Sequence, residues 1–351
     1  MSDSLKQSQT AGDHSTNLQA QRIEIHQHQG LTLAEAREEF MTLFEANFCR
    51  LQSVARETAQ QRATNITEKF LAELSRRNPS GLQACQDPDM QAAVFSAQRE
   101  YARSGRKELE KVLIDLLVER TTAANLKCIV LNEAIAVSAK LTSAQLDTLS
   151  FVLLFAYNAP LRYTFHNLED FGEYLRQYIA PLLSPTIADA STFLHLKYTG
   201  CASTESGGRS IIELIRDVFP ACFTEGFRGP EQDPPVSILR DYVIPAFHTE
   251  SAFQFLPMDD RTFRALCLRR HLSEEAIAFL ENLQVMHGLD VVQISDRLRQ
   301  IDERFALISE PSYTTAMALG NVQLTTVGIA LANVNLRHRV GLDFDLGEWI
   351  A

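Results

Sequence analysis

Residues able to do chemistry are scattered along this chain. His26 and His28 lie two apart, and in an extended strand that spacing puts both imidazoles on one face, where copies of the chain brought together could share a metal ion; the competing reading is a polar tail. Cys201 follows Gly200 and would serve as a nucleophile if His195 or His248 approached it in space. Gly207 and Gly208 precede a helical pattern, and helix N-termini attract phosphate. The lysine of a G-x-x-x-x-G-K-[ST] loop is missing there, and the chain has no G-x-G-x-x-G pattern. H-E-x-x-H, D-x-D-x-D-G and outstanding paired-carboxylate spacings are absent too. We therefore assign no catalytic, cofactor or metal residues, and read residues 199–210 as a connecting loop.

Basic side chains supply a second candidate site. Arg261, Arg264, Arg269 and Arg270, then Arg337 and Arg339, are the residues nearest to a nucleic-acid contact surface. Arg261, Arg264 and Arg269 do not share one tight helical face, and Asp259, Asp260, Glu274, Glu275, Asp290 and Asp296 offset them. The whole chain has a net charge of -11 and a pI near 5.4, a balance that argues against a protein whose main task is to neutralise a phosphate backbone.

Several elements must position these residues. Residues 1–30 are rich in Gln, Ser, Thr, Asn and His, a composition that fits a disordered tail. Their second half, Arg-Ile-Glu-Ile-His-Gln-His, alternates with period two, so a β-prone tag that pairs with copies of itself is the alternative. Leu18, Ile23 and Ile25 would be its apolar contacts. Thr32 and Glu35 fit a capping box that opens a long amphipathic helix carrying Phe40, Leu43 and Phe44, the other candidate self-association residues. A kink or break in that helix is expected between Thr58 and Thr67, where Gln, Thr and Asn cluster.

Residues 31–225 read as a helical core domain. Asp87-Pro88 opens one helix and Thr142 with Gln145 caps another. The segment from Ser96 to Tyr157 holds successive apolar helices with almost no loop between them. Residues 226–235, with three prolines and two glycines, form the linker. The expected C-terminal unit, residues 236–351, has helices opened by Asp259-Asp260 and by Ser273, a third over 291–301, two strands (Phe305–Ile308 and around 316–324) and a final helix from Thr325. That order suggests a winged-helix-like α+β unit. The fold class is mainly α.

The 351 residues are 45% hydrophobic and 22% charged, enough to bury a sizeable core. Six dispersed cysteines without a metal-ligand spacing, a polar N-terminus and no apolar run long enough to span a bilayer point to a reducing, cytoplasmic protein.

The runs LFEANF, ITEKFL, PDMQAAVFSAQREYARSG, VLIDLLVER and IVLNEAIAVSAKLTSAQLDTLSF, with the ending LTTVGIALANVNLRHRVGLDFDLGEWI, resemble a family of bacterial cytosolic helical proteins with no assigned activity. That resemblance implies no site residue. The opening AGDHSTNLQA-x-R-I-E-I followed by GLT is similar to a short N-terminal module that precedes unrelated domains in bacterial antiviral and other conflict-system proteins, where it looks like an oligomerisation tag. The L-T-x-x-G-x-x-x-A pattern near the end also resembles abortive-infection proteins. The expectation is a non-enzymatic, self-associating scaffold or sensor, with a homo-oligomer and a protein partner rather than a membrane; the alternative is a winged-helix nucleic-acid-binding regulator.

Overall fold

The computed structural model describes residues 32–47, 53–156, 163–204, 210–228, 234–309 and 319–350. It is mainly helical. The helices are α1 (Leu33–Asn47), α2 (Ser53–Arg77), α3 (Pro88–Ser104), α4 (Lys107–Arg120), α5 (Asn125–Ser138), α6 (Ser143–Ala156), α7 (Leu168–Tyr174), α8 (Ala190–Tyr198), α9 (Ile211–Val218), α10 (Pro234–Ile238), α11 (Asp260–Arg269), α12 (Glu274–Met286), α13 (Val291–Ile301), α14 (Ala306–Ser309) and α15 (Thr326–Val340). The strands are β1 (Ala202–Thr204), β2 (Val243–Pro245), β3 (Phe253–Phe255) and β4 (Val322–Leu324).

Local sequence sets many helix starts. The Thr32–Glu35 box forms in both directions, at 3.2 and 2.9 Å, and the Thr142–Gln145 box does the same at 3.2 and 3.0 Å. Asp87 accepts from the Asp89 and Met90 amides, with Pro88 in the first turn of α3. Asp259 and Ser273 cap α11 and α12. The break expected between Thr58 and Thr67 does not occur, because α2 runs through it. Thr58 and Thr67 return their hydroxyls to the carbonyls of Val54 and Ala63, while Gln60 and Thr64 reach Glu45 and Met41 of α1. The interruption falls earlier, between Asn47 and Ser53, and residues 48–52 lie outside those described.

The principal core joins the beginning and the end of the chain. α4, α5 and α6 pack directly against α15, and every residue from Gly328 to Leu336 is buried. β1 and β4 form the antiparallel pair that brings α15 in, with Ala202 opposite Leu324. Thr325 then caps α15 and donates from its hydroxyl to the Gly200 carbonyl at 2.6 Å.

A second apolar cluster comprises residues 227–283, centred on Phe255, Phe263, Leu266, Ile277 and Leu280. Residues expected to form one unit over 236–351 are thus grouped differently: Leu289, Ile294, Leu298, Phe305, Ile308 and Leu319 pack into the principal core. The expected wing is also corrected. Phe305 ends a 3-10 turn and Ala306–Ser309 is helical, with the Ser309 hydroxyl donating to the Phe305 carbonyl at 2.6 Å. Phe305 and Ile308, three apart, both reach the core from one helical face, and β4 pairs with β1 instead. The hairpin of this region is β2–β3, which precedes α11. At the start of the linker, Gly226 has φ +83°, and Phe227 exchanges two backbone hydrogen bonds with Phe253 of β3; residues 229–233 are not among those described.

Among the described glycines, Gly328 is the most tightly enclosed. A Cβ there would stand 2.0 Å from the Cys201 carbonyl oxygen, and that carbonyl is fixed by the Thr325 amide at 3.0 Å. Gly328→Ala is expected to cost about 3 kcal/mol, the upper end for overpacking against backbone, read as a lower urea midpoint. An unchanged midpoint would show that β1 and α15 are not packed this closely.

Candidate interface cleft between two apolar clusters

The two clusters meet along a seam. Across it the Phe165 amide donates to the Pro257 carbonyl at 2.8 Å and the Asp259 amide donates to the Tyr163 carbonyl at 3.3 Å. Gln254 donates to the Ala221 carbonyl at 2.9 Å and His248 Nε2 to the Cys222 carbonyl at 2.8 Å. A cleft of about 560 Å³ opens at this seam. From the principal side come Arg216, Asp217 and Pro220; from α11 come Asp260, Arg261 and Arg264; from α12 and its C-terminus come Glu281, Gln284, Val285 and Gly288.

Each wall has a local cause. The Ser210–Glu213 capping box fixes the start of α9, and the helix delivers Arg216 and Asp217 at its last turn. Asp259 caps α11, which leaves Asp260 and Arg261 in the first turn facing the cleft. Arg264 is consumed by ion pairs with Glu281, at 3.1 Å, and with Glu274. Arg216 reaches Asp217 at 3.4 Å, while its Nε is buried with no partner among the described residues. Burial, then the negative charges of Glu281 and Asp259, push the Asp260 carboxyl above its ordinary range. Beside the cleft, Val285, Met286, Val291 and Val292 form an exposed apolar corner where α12 hands over to α13; Met286 is 71% and Val292 69% exposed.

The six arginines singled out for nucleic acid fall into three settings. Arg261 and Arg264 line the cleft. Arg269 and Arg270 lie at the far end of α11, with Arg269 Nε on the Ala265 carbonyl at 3.4 Å, and with Arg270 paired to Asp241 at 3.2 Å and lying over the Tyr242 ring. Arg337 and Arg339 belong to the principal core. Arg337 pairs with Asp115, Glu119 and Asp343 at 3.0, 2.6 and 2.7 Å, and Arg339 with Asp147 at 2.9 Å. Burial works against a charged Asp115, but the His338 hydrogen bond and the charges of Arg337, His338 and Arg77 outweigh it and hold the carboxyl below its usual range.

Of the self-association residues, Phe40 and Phe44 are buried within the chain's own helices and Leu43 is half-buried. Leu18, Ile23, Ile25, His26, His28, Gly207 and Gly208 lie outside the described residues. Cys201 is fully buried, burial raises its thiol, and the Thr199 hydroxyl donates to its sulfur at 3.5 Å. His195 is engaged with the Gln145 side-chain amide and His248 with Cys222, so neither is the base a Cys201 nucleophile would need. Arg216, Glu281 and Gln284 had no distinctive spacing; the one local signal was the Ser210–Glu213 box, which marks where α9 begins.

The Asp115 cluster yields a measurable consequence. Asp115→Asn leaves Arg77, Arg337 and His338 without their shared carboxylate and is expected to cost about 3 kcal/mol at neutral pH. A depressed folded-state pKa contributes stability above the unfolded value that is lost as pH falls through the folded value. The gap between wild type and Asp115→Asn in denaturant titrations should therefore shrink in strong acid. A gap that widens there would contradict the assignment.

A family model described only by the suffix "-like", which states no activity, matches residues 30–350. No curated protein and no solved structure matches the chain. Among the described residues, no helix is long and apolar enough to cross a membrane. The match spans nearly the whole sequence, from α1 to the end of the principal core, and the chain belongs to that family.

Proposed function

We propose that the protein is a non-enzymatic, self-associating helical scaffold or sensor, and that a second copy docks on the apolar corner formed by the end of α12 and the start of α13. The observation that carries this reading is the exposure of Val285, Met286, Val291 and Val292 within eight residues. Contiguous exposed apolar side chains next to a polar rim are a mark of interaction surfaces. Phe279, about two turns back from Met286 on α12 and 41% exposed, extends the same ridge. The resemblance of residues 11–25 to an oligomerisation tag supports the same reading, and a place in bacterial antiviral defence rests on that resemblance alone.

The nucleic-acid alternative has less support. A duplex would have to draw Arg264, Arg270, Arg337 and Arg339 away from carboxylates they already contact, and phosphate contacts contribute through cations free to release counterions.

Size-exclusion chromatography with light scattering tests the proposal on the full chain, on a chain starting at Leu31, and on Met286→Asp/Val292→Asp. The expected result is an oligomer for the unaltered chain that the double substitution reduces to monomer. A monomeric unaltered chain contradicts self-association. An oligomer insensitive to the double substitution but lost without residues 1–30 would move the contact to the N-terminal segment.

A further inference from the structure

The seam between the two clusters is fastened in part by a histidine. The loop that joins β2 to β3, residues 246–252, sends His248 back to the principal core, where its Nε2 lies 2.8 Å from the Cys222 carbonyl. A carbonyl oxygen accepts and cannot donate, so Nε2 carries the proton and Nδ1 of the neutral ring is an acceptor. That Nδ1 is buried and has no partner among the described residues. The loop is also strained, because Ser251 has φ +67°, a left-handed backbone that is unfavourable for a residue with a Cβ. We propose that His248 is a pH-sensitive latch, which holds the β2–β3 hairpin against the principal core while the ring is neutral and releases it when the ring takes a second proton.

A second proton would make Nδ1 a donor with nothing to accept from it, and would place a charge on a ring whose free nitrogen is closed to water. Both are unfavourable in a buried setting. The surroundings do not offset the charge. His248 borders a cavity of about 290 Å³ that Glu225, Asp296 and Arg297 also line. Glu225 and Asp296 are exposed to solvent and neither reaches Nδ1, and full burial keeps the Cys222 thiol neutral. On the hairpin side the ring meets the edge of Phe247, and the nearby charge in sequence, Glu250, is exposed. Burial is the largest influence on the imidazole and lowers its affinity for the second proton; the Cys222 hydrogen bond works the other way, and the Arg297 charge adds to burial. A histidine with a lowered folded-state pKa contributes an attachment that is fully present above the ordinary value of about 6.5 and is lost as the pH falls through the lowered one. Gln254 shares the attachment, donating to the Ala221 carbonyl at 2.9 Å and accepting from the Phe247 amide at 2.8 Å, but it does not titrate. The pH response of this contact therefore falls to His248.

Hydrogen exchange of the full chain, read by mass spectrometry at about pH 7.5 and about pH 5 and corrected for the intrinsic rate at each, tests the latch. Protection of peptides from residues 243–255 is expected to fall about fivefold or more in acid, against a ceiling of roughly thirtyfold for a released histidine of ordinary pKa. Peptides from 107–120 should keep their protection. His248→Gln puts an amide nitrogen near the Nε2 position without a titrating group, and its hairpin should be equally protected at both pH values. In the unaltered chain, the His248 imidazole followed by NMR should titrate below the ordinary value. Unchanged protection in the unaltered chain, the same fall in His248→Gln, or an imidazole that titrates at or above about 6.5 would each overturn the proposal. Protection that rises in acid, as it would if Glu225 or Asp296 turned to meet the new proton, would overturn it as well. The exchange is repeated at two protein concentrations, and a fall that tracks dissociation of an oligomer would belong to self-association and not to the latch.

Discussion

A helix buried on every side cannot leave polar groups unanswered, and α15 is such a helix. Gly328 to Leu336 is enclosed, yet the stretch contains Asn333 and Asn335 and continues into Arg337, His338 and Arg339. Asn333 exchanges hydrogen bonds with Phe344, donating to its carbonyl and accepting from its amide, both at 2.9 Å. Asn335 donates to Asp147 and Ser150, and the Ser150 hydroxyl donates to the Ala332 carbonyl at 3.1 Å. Arg337 and Arg339 meet Asp115, Glu119 and Asp147 from α4 and α6. Those carboxylates are themselves nearly enclosed, so each needs the far end of the chain as much as that end needs them. Burying either set alone would leave unpaired charge, at a cost of several kcal/mol. The core therefore closes only when residues some two hundred positions apart have met, a non-local requirement that slows folding relative to a simple helical bundle.

This dependence explains what could and could not be read from the sequence. Caps are interactions across three residues, so Thr142 with Gln145, Asp87 with Pro88, and Asp259 and Ser273 declared helix starts correctly, and the mainly helical class followed. The return of Leu289, Ile294, Leu298, Phe305 and Ile308, and of α15, to the principal core had no local sign. Phe305–Ile308 resembled a strand because four apolar-rich residues fit either period; the shared burial of Phe305 and Ile308 from one helical face decided it. The ion pairs of Arg337 with Asp115 and Glu119, and of Arg339 with Asp147, had no local sign because those carboxylates lie about two hundred residues away. In the cleft, Arg261 and Arg264 stood out by charge alone, whereas Arg216, Glu281 and Gln284 became neighbours only through the contact between the two clusters.

The division of labour is consistent with these energetics. The buried faces of α4, α5 and α6 are committed to packing and to the ion pairs of α15. The exposed apolar corner at Met286 and Val292 lies where α12 of the second cluster hands over to α13. Val285 belongs both to the cleft wall and to this corner, so the two features share α12.

The claim on which this account rests is that α15 is an integral part of the core built by the first half of the chain. Native-state hydrogen exchange on the full chain, read by mass spectrometry, tests it directly, because segments of one cooperative unit open only with global unfolding. Peptides from residues 326–340 should exchange with the same free energy as those from 107–120 and 143–156. Exchange of 326–340 at a clearly lower free energy, with the other two segments still protected, would contradict it.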